Sequence, residues 1–350
     1  MIFRRMLDVE NTGFPFDWCR EHYRIPCLVR TDGGTLLTVC ECRQGTDWGA
    51  TDVVLRRSTD EGATWSDKQI VFSGEMRNVI HNPILFADGG TVHLLCHRNY
   101  RQAFYLKSTD EGVTWSAPRE ITPAYESVLD GYRWTVAAAG PGHGIVTRGG
   151  RLMIPVWLSK NLNEIYAHHP SVVTVLYSDD HGETWACGDL IPATPQMVDP
   201  NESVIAQLSD GSFLLCLRHI TETHLRILAR SEDGLHNWHD FHYEPQLPDC
   251  ICAAGLTGDG RRLWLSNCPT EGRRNLTVSQ SDDDGRTWGR KRVIADRAGY
   301  SDIFYHPTTD CLYLLAERVV QDRSGMEFIR MSADITEDET ERGSSWNDRL

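Results

Sequence analysis

The chain has little that would take it into a membrane, onto a nucleic acid or around a metal. None of its 350 residues falls in an apolar run approaching the roughly 20 residues of a spanning helix. Basic residues are in deficit. The 35 Lys and Arg stand against 49 Asp and Glu, and a net charge of −14 is the wrong sign for holding a phosphate backbone as a main task. The 11 cysteines show neither paired CxxC spacing nor a Cys/His zinc pattern, and the 14 histidines include no HExxH. No metal or other cofactor is therefore expected. Cys40 and Cys42 alternate in a strand-like run, as do Cys250 and Cys252, and both pairs read as small buried hydrophobes. Reduced thiols suit a cytoplasmic location. The stretch MIFRRMLDVENTGF turns polar before an apolar core forms, so it is not read as a secretory signal. Long amphipathic helical patterns are missing too, which argues against a helix-rich second domain.

What the chain does have is a repeated turn. Ser-x-Asp-x-Gly-x-Thr-Trp begins at Ser58, Ser108, Ser178 and Ser281, and a worn copy runs from Ser231 to Trp238. The starts are 50, 70, 53 and 50 residues apart, a period belonging to repeat architectures. Asp and Gly at this spacing close a tight turn, with carboxylate oxygens taking backbone N–H groups and Gly supplying positive φ. A strand-length apolar run leads into each copy, for example Val172–Tyr177 before Ser178. Upstream lies a second series of Asp-Gly-type turns, at Asp32, Asp88, Gly149, Asp210 and Asp259, extended to Asp310. Such turns between apolar runs signal hairpins.

Each repeat thus reads strand, hairpin, strand, strand, box, strand. The fold class expected is all-β: a six-bladed β-propeller of four-stranded antiparallel blades, which buries both faces of each small sheet by radial stacking. Residues 1–350 form one domain on this reading, with the propeller over about 20–335 and a polar tail over 336–350. The last repeat lacks a box and is expected to be completed by a strand from the N-terminal stretch.

A propeller is a scaffold, so function has to come from residues that the repeat does not require. Arg24 lies in a first strand, Glu202 and Arg218 interrupt apolar inner strands, and Arg273 and Arg274 precede another strand. Tyr300 and Glu317 fill comparable places in the last repeat. Charged side chains are rarely buried without a partner or a task.

These departures resemble, in order, the signature blocks of the non-viral sialidases (exo-α-sialidases, neuraminidases). Tyr23-Arg24-Ile25-Pro26 matches the family's YRIP. Arg43-Gln-Gly-Thr-Asp47 matches its acid loop, one residue shorter than in some members. Gly140–Gly144, Asn201-Glu202-Ser203 with Arg218, Arg273–Val278, Tyr300-Ser-Asp302 and Leu315-Ala-Glu317 follow, so the resemblance covers about residues 20 to 332. It implies an arginine triad of Arg24, Arg218 and Arg273 (or Arg274) binding a substrate carboxylate, with Glu317 holding Arg24 and Arg43 touching sugar hydroxyls. It also implies Tyr300 as nucleophile, Glu202 as its base and Asp47 as acid/base. A neutral phenol suits a sugar whose own carboxylate would repel an anionic nucleophile, and sialidases are exceptions among glycosidases for this reason.

Two classes of function are compatible with these residues. One is a retaining exo-α-sialidase acting on a sialylated glycan or free sialoside, with no nucleic acid partner and no membrane span. The other is a catalytically silent propeller that binds acidic glycans or a protein; the joint presence of Tyr300, Glu202 and Asp47 favours the enzyme. Within the enzyme reading, a related ulosonic acid as substrate and transfer to another sugar both stay open.

Overall fold

In a computed structural model, residues 9–17, 22–45, 47–161, 169–320 and 323–335 are described. The tail over 336–350 and residues 1–8 of the N-terminal stretch lie outside them. The molecule is a β-propeller of five antiparallel sheets. The first sheet runs His22–Arg30, Leu36–Arg43, Thr51–Ser58, Gln69–Phe72, and the second Ile80–Asp88, Thr91–Arg98, Gln102–Ser108, Arg119–Glu120. The third orders Val136–Ala139, Leu152–Ser159, Ser171–Ser178 and Ala186–Cys187, with Ile145–Val146 also on Leu152–Ser159. The fourth orders Ser203–Gln207, Phe213–Leu217, Leu225–Ser231 and His239–Pro248. Only one short helix, the 3-10 turn Thr122–Val128, occurs among the described residues.

The fifth sheet has seven strands where separate four-stranded units were expected. Its cause is one 17-residue strand, Arg290–His306. The part from Arg290 to Arg297 pairs with Arg274–Ser281, and the part from Ala298 to His306 pairs with Cys311–Val320. Gly255–Gly258 and Leu263–Asn267 complete one side, and Arg323–Ser332 the other. Val9–Asp17 then adds to Arg323–Ser332 as an antiparallel edge strand, which is the N-terminal completion that the missing box called for.

Second strands such as Leu152–Ser159 and Phe213–Leu217 are buried along their whole length, because a neighbouring sheet covers each face. That is why they read as continuous apolar runs rather than alternating ones. The boxes supply the seams. The Ser58 hydroxyl bonds Asp60 Oδ1 (2.7 Å) and accepts the Gly62 N–H (2.8 Å), while Asp60 takes the Thr64 N–H and hydroxyl. The same set recurs at Ser108, Ser178 and Ser281. In the first three copies these bonds hold the Asp carboxyl down at about 2. Gly62 has φ 87°, and a Cβ there would stand 2.2 Å from the Phe328 ring on the strand Arg323–Ser332. First and last sheets meet at that contact, and the ring closes.

Cys250 and Cys252 depart from expectation. They lie outside any strand, with Ile251 between them at φ 62°. Cys40 and Cys42 do share a face of Leu36–Arg43 and join one apolar cluster.

Candidate active site

Chain direction places the candidate residues at one end of the propeller. In a four-stranded antiparallel meander, the starts of strands one and three share an end with the finishes of strands two and four. Arg24 opens a first strand, Glu202 immediately precedes one, Arg218 directly follows a second strand and Arg273 directly precedes a third. Asp47 lies between second and third strands, and Glu317 sits toward the finish of Cys311–Val320. All therefore face away from the boxes and hairpin turns. The first strands are bulged where they approach this end, at Arg24/Cys27, His81/Ile84 and Ala298/Ser301. Bulges re-aim side chains, which is how Arg24 and Tyr300 leave the regular alternation. Ile25, beside Arg24, holds φ 62°, an unfavourable value for a β-branched residue.

Six candidates meet directly. The Tyr300 hydroxyl donates to Glu202 Oε1 at 2.8 Å, and both groups are buried. Arg218 Nη1 bonds Glu202 Oε2 and the Tyr300 oxygen, the latter at 2.9 Å. The guanidiniums of Arg24 and Arg273 each lie 5.1 Å from the Tyr300 ring centre. Glu317 ties the group together: Oε1 accepts Arg24 Nε (2.6 Å) and the Ile25 N–H (3.0 Å), and Oε2 accepts the Tyr300 N–H (3.1 Å). Burial works against the charge of Arg24, but Glu317, Tyr300 and Asp47 outweigh it and raise its pKa. Arg273 is likewise raised against burial, by Cys252, Tyr300 and Glu317. Arg274 instead turns outward to Asp296 at 3.2 Å. Arg218 Nε is buried without a hydrogen-bond partner among the described residues.

Arg43 and Asp47 form an adjoining pair, Arg43 Nη1 bonding Asp47 Oδ1. The Asp47 carboxylate is 57% exposed and acts on Arg24 electrostatically. Sequence reasoning missed what holds Arg43. Glu41, fully buried, accepts Arg43 Nε at 2.5 Å and the Asn82 N–H at 2.7 Å. A signal existed, since Glu41 is a charge inside the otherwise apolar run Leu36–Cys42. Asp302 was also missed as an anchor. It accepts the Leu28 N–H (2.8 Å) and pairs with His143 (2.8 Å), fixing the strand that carries Tyr300 to its neighbours.

A closed ring of antiparallel sheets seamed by Asp boxes, with arginines and acids gathered at one end, defines a class: the Asp-box propellers. Comparison with known proteins narrows it. The family model of the BNR repeat-like domain matches residues 34–312. A sialidase of Micromonospora viridifaciens is 31% identical over 322 residues, 81% of this chain and 46% of that protein. One from Bacteroides fragilis is 28% identical over 314 residues, 78% of this chain and 55% of that protein. The chain belongs to the BNR-repeat sialidase family, and it spans about half the length of these two relatives. Among solved structures, Hadza microbial sialidase Hz136 superposes with a TM-score of 0.73 at 24% identity, covering 89% of this chain and 65% of that one. Trypanosoma rangeli sialidase gives 0.70 at 19%, covering 89% and 55%; these likenesses speak for the fold.

Proposed function

We propose that the protein is a retaining exo-α-sialidase that releases terminal sialic acid from glycoconjugates. The observation that carries this reading is the buried Tyr300–Glu202 hydrogen bond of 2.8 Å, bracketed by three guanidiniums. The sialidase names of the relatives support it. Arg24, Arg218 and Arg273 hold the substrate carboxylate by charge-assisted bonds. Glu317 keeps Arg24 extended toward it.

With the carboxylate so held, the Tyr300 oxygen attacks the anomeric carbon and its proton passes to Glu202 Oε1. The bond to the leaving oxygen breaks as that oxygen takes a proton from Asp47. Asp47, now ionised, then draws a proton from water, which attacks the same carbon and returns the pair on the carbon–oxygen bond to Tyr300, reprotonated by Glu202. Two inversions give retention. Arg43 positions Asp47 and contacts the sugar, itself braced by Glu41. In this reading the seven-stranded sheet counts as two blades joined through Arg290–His306, so the propeller has six.

The test is release of the fluorophore from an aryl α-sialoside between about pH 4 and 8, with the α anomer of the sugar appearing first by NMR. Tyr300→Phe should lower kcat/KM by at least about 10³-fold, because the nucleophile itself is gone. A wild type inert on sialosides and related ulosonides throughout that range ends the proposal.

A further inference from the structure

Beside the three-arginine site lies a cleft of about 410 Å³ whose described lining has five guanidiniums, Arg24, Arg273, Arg274, Arg297 and Arg318, against the single carboxylate of Glu317. On a chain with a net charge of −14 this is an island of the opposite sign. The fold does not need it. Arg274 and Arg297 are direct cross-strand partners, and like charges placed opposite each other destabilise a sheet. Among the described residues Arg274 pairs only with Asp296, which is 71% exposed and so offsets little. Arg297 is exposed and has no ion-pair partner among the described residues. Arg318 pairs with Glu327 at 3.1 Å, yet its Nε is buried without a hydrogen-bond partner. Such an arrangement is stabilised by an anion between the strands.

Position says which anion. In a sialoside, one anomeric carbon carries both the carboxylate and the leaving oxygen, so the leaving group emerges within a few ångströms of the arginines that hold the carboxylate. Arg24 and Arg273 line the cleft as well as the site around Tyr300. His22, also in its wall, bonds the Gly45 carbonyl at 3.3 Å, and Gly45 belongs to the loop that carries Asp47. The cleft thus shares Arg24 and Arg273 with the carboxylate site, and its His22 reaches the loop that carries Asp47.

We propose that this cleft is a leaving-group subsite for a second anion, and that the preferred substrates carry a carboxylate or sulfate on the sugar next to the one released. This rests on the sialidase reading above. Arg274 and Arg297 take the second anion from the two facing strands, with Arg318 behind them, while Arg24 and Arg273 stay with the first carboxylate.

The experiment compares kcat/KM of the full chain on three α-sialosides: one linked to neutral lactose, one α2,8-linked to a second sialic acid, and one linked to a sulfated galactose. In about 20 mM salt at least one anionic leaving group should be preferred about tenfold over the neutral one, and the preference should collapse near about 0.5 M salt. Arg297→Gln, on an exposed side chain, should lower the anionic-to-neutral ratio about tenfold. Preference for either anionic arm upholds the subsite, and the better arm identifies carboxylate or sulfate. Cleavage of the neutral arm without any anionic preference, or an unchanged ratio in Arg297→Gln, overturns the subsite and leaves the enzyme standing. Failure on all three arms overturns the subsite, and inertness on the aryl α-sialoside and related ulosonides as well overturns the enzyme reading.

Discussion

Glu317→Gln is the sharpest test of how the site is held. The carboxylate is buried and accepts three donors through two oxygens, from Arg24, Ile25 and Tyr300. An amide can keep only one oxygen. In its best orientation that oxygen stays with Arg24 and Ile25, and the NH₂ group then faces the Tyr300 N–H, donor against donor. Oε2 packs close against Gly299, where a Cβ would lie 2.1 Å from it. One buried N–H left unpaired costs about 1–3 kcal/mol. Arg24 also loses its buried counter-charge, and breaking such a pair from one side costs about 3–5 kcal/mol in total. Urea unfolding should show that loss of stability. Activity on an aryl sialoside, measured well below the unfolding midpoint, should fall about 10²-fold as Arg24 and Tyr300 lose their common anchor. A stability change under about 1 kcal/mol together with unchanged kinetics would refute the view that Glu317 sets the geometry.

Other outcomes follow from the boxes. Asp110 has its carboxyl held at about 2, below its ordinary 3.8, by the Thr114 hydroxyl, the Thr114 N–H and Ser108. Its ionised form therefore favours folding above about pH 4, and that contribution disappears as the pH falls through about 2. The stability gap between wild type and Asp110→Asn should accordingly narrow from pH 6 to pH 2 in thermal unfolding; a constant or widening gap would contradict the assignment. Gly182 holds φ 85°, and a Cβ there would meet the Tyr105 hydroxyl at 2.5 Å across the seam between the second and third sheets. Gly182→Ala should destabilise by about 2–4 kcal/mol in urea, from left-handed strain plus overpacking, and a neutral result would show that the seam yields.

The repeat was legible because its causes are local. A Ser hydroxyl, an Asp carboxylate and a Gly with positive φ close each turn within a few residues, so the string alone locates the turn and the strands around it. Residue type was legible as well, since Arg24, Glu202, Arg218 and Glu317 each place charge where the repeat asks for apolar surface. Glu41 obeys the same rule, a charge inside the apolar run Leu36–Cys42.

What the string could not decide is who meets whom. Tyr300 and Glu202 are 98 residues apart, and only closure of the ring brings them within 2.8 Å. Which of Arg273 and Arg274 faces Tyr300 turned on backbone conformation. Arg273 holds φ 56° just before its strand, so alternation cannot be counted through it, and a slip of one residue reverses the face. Nor did the periodic turns reveal that Arg290–His306 would run unbroken from one pairing partner to the next. Sequence by itself determined the turns, the strand order and the chemical types available at one end of the molecule. Tertiary structure decided their partners, because contacts between distant strands depend on register, bulges and closure, which no short window of residues encodes.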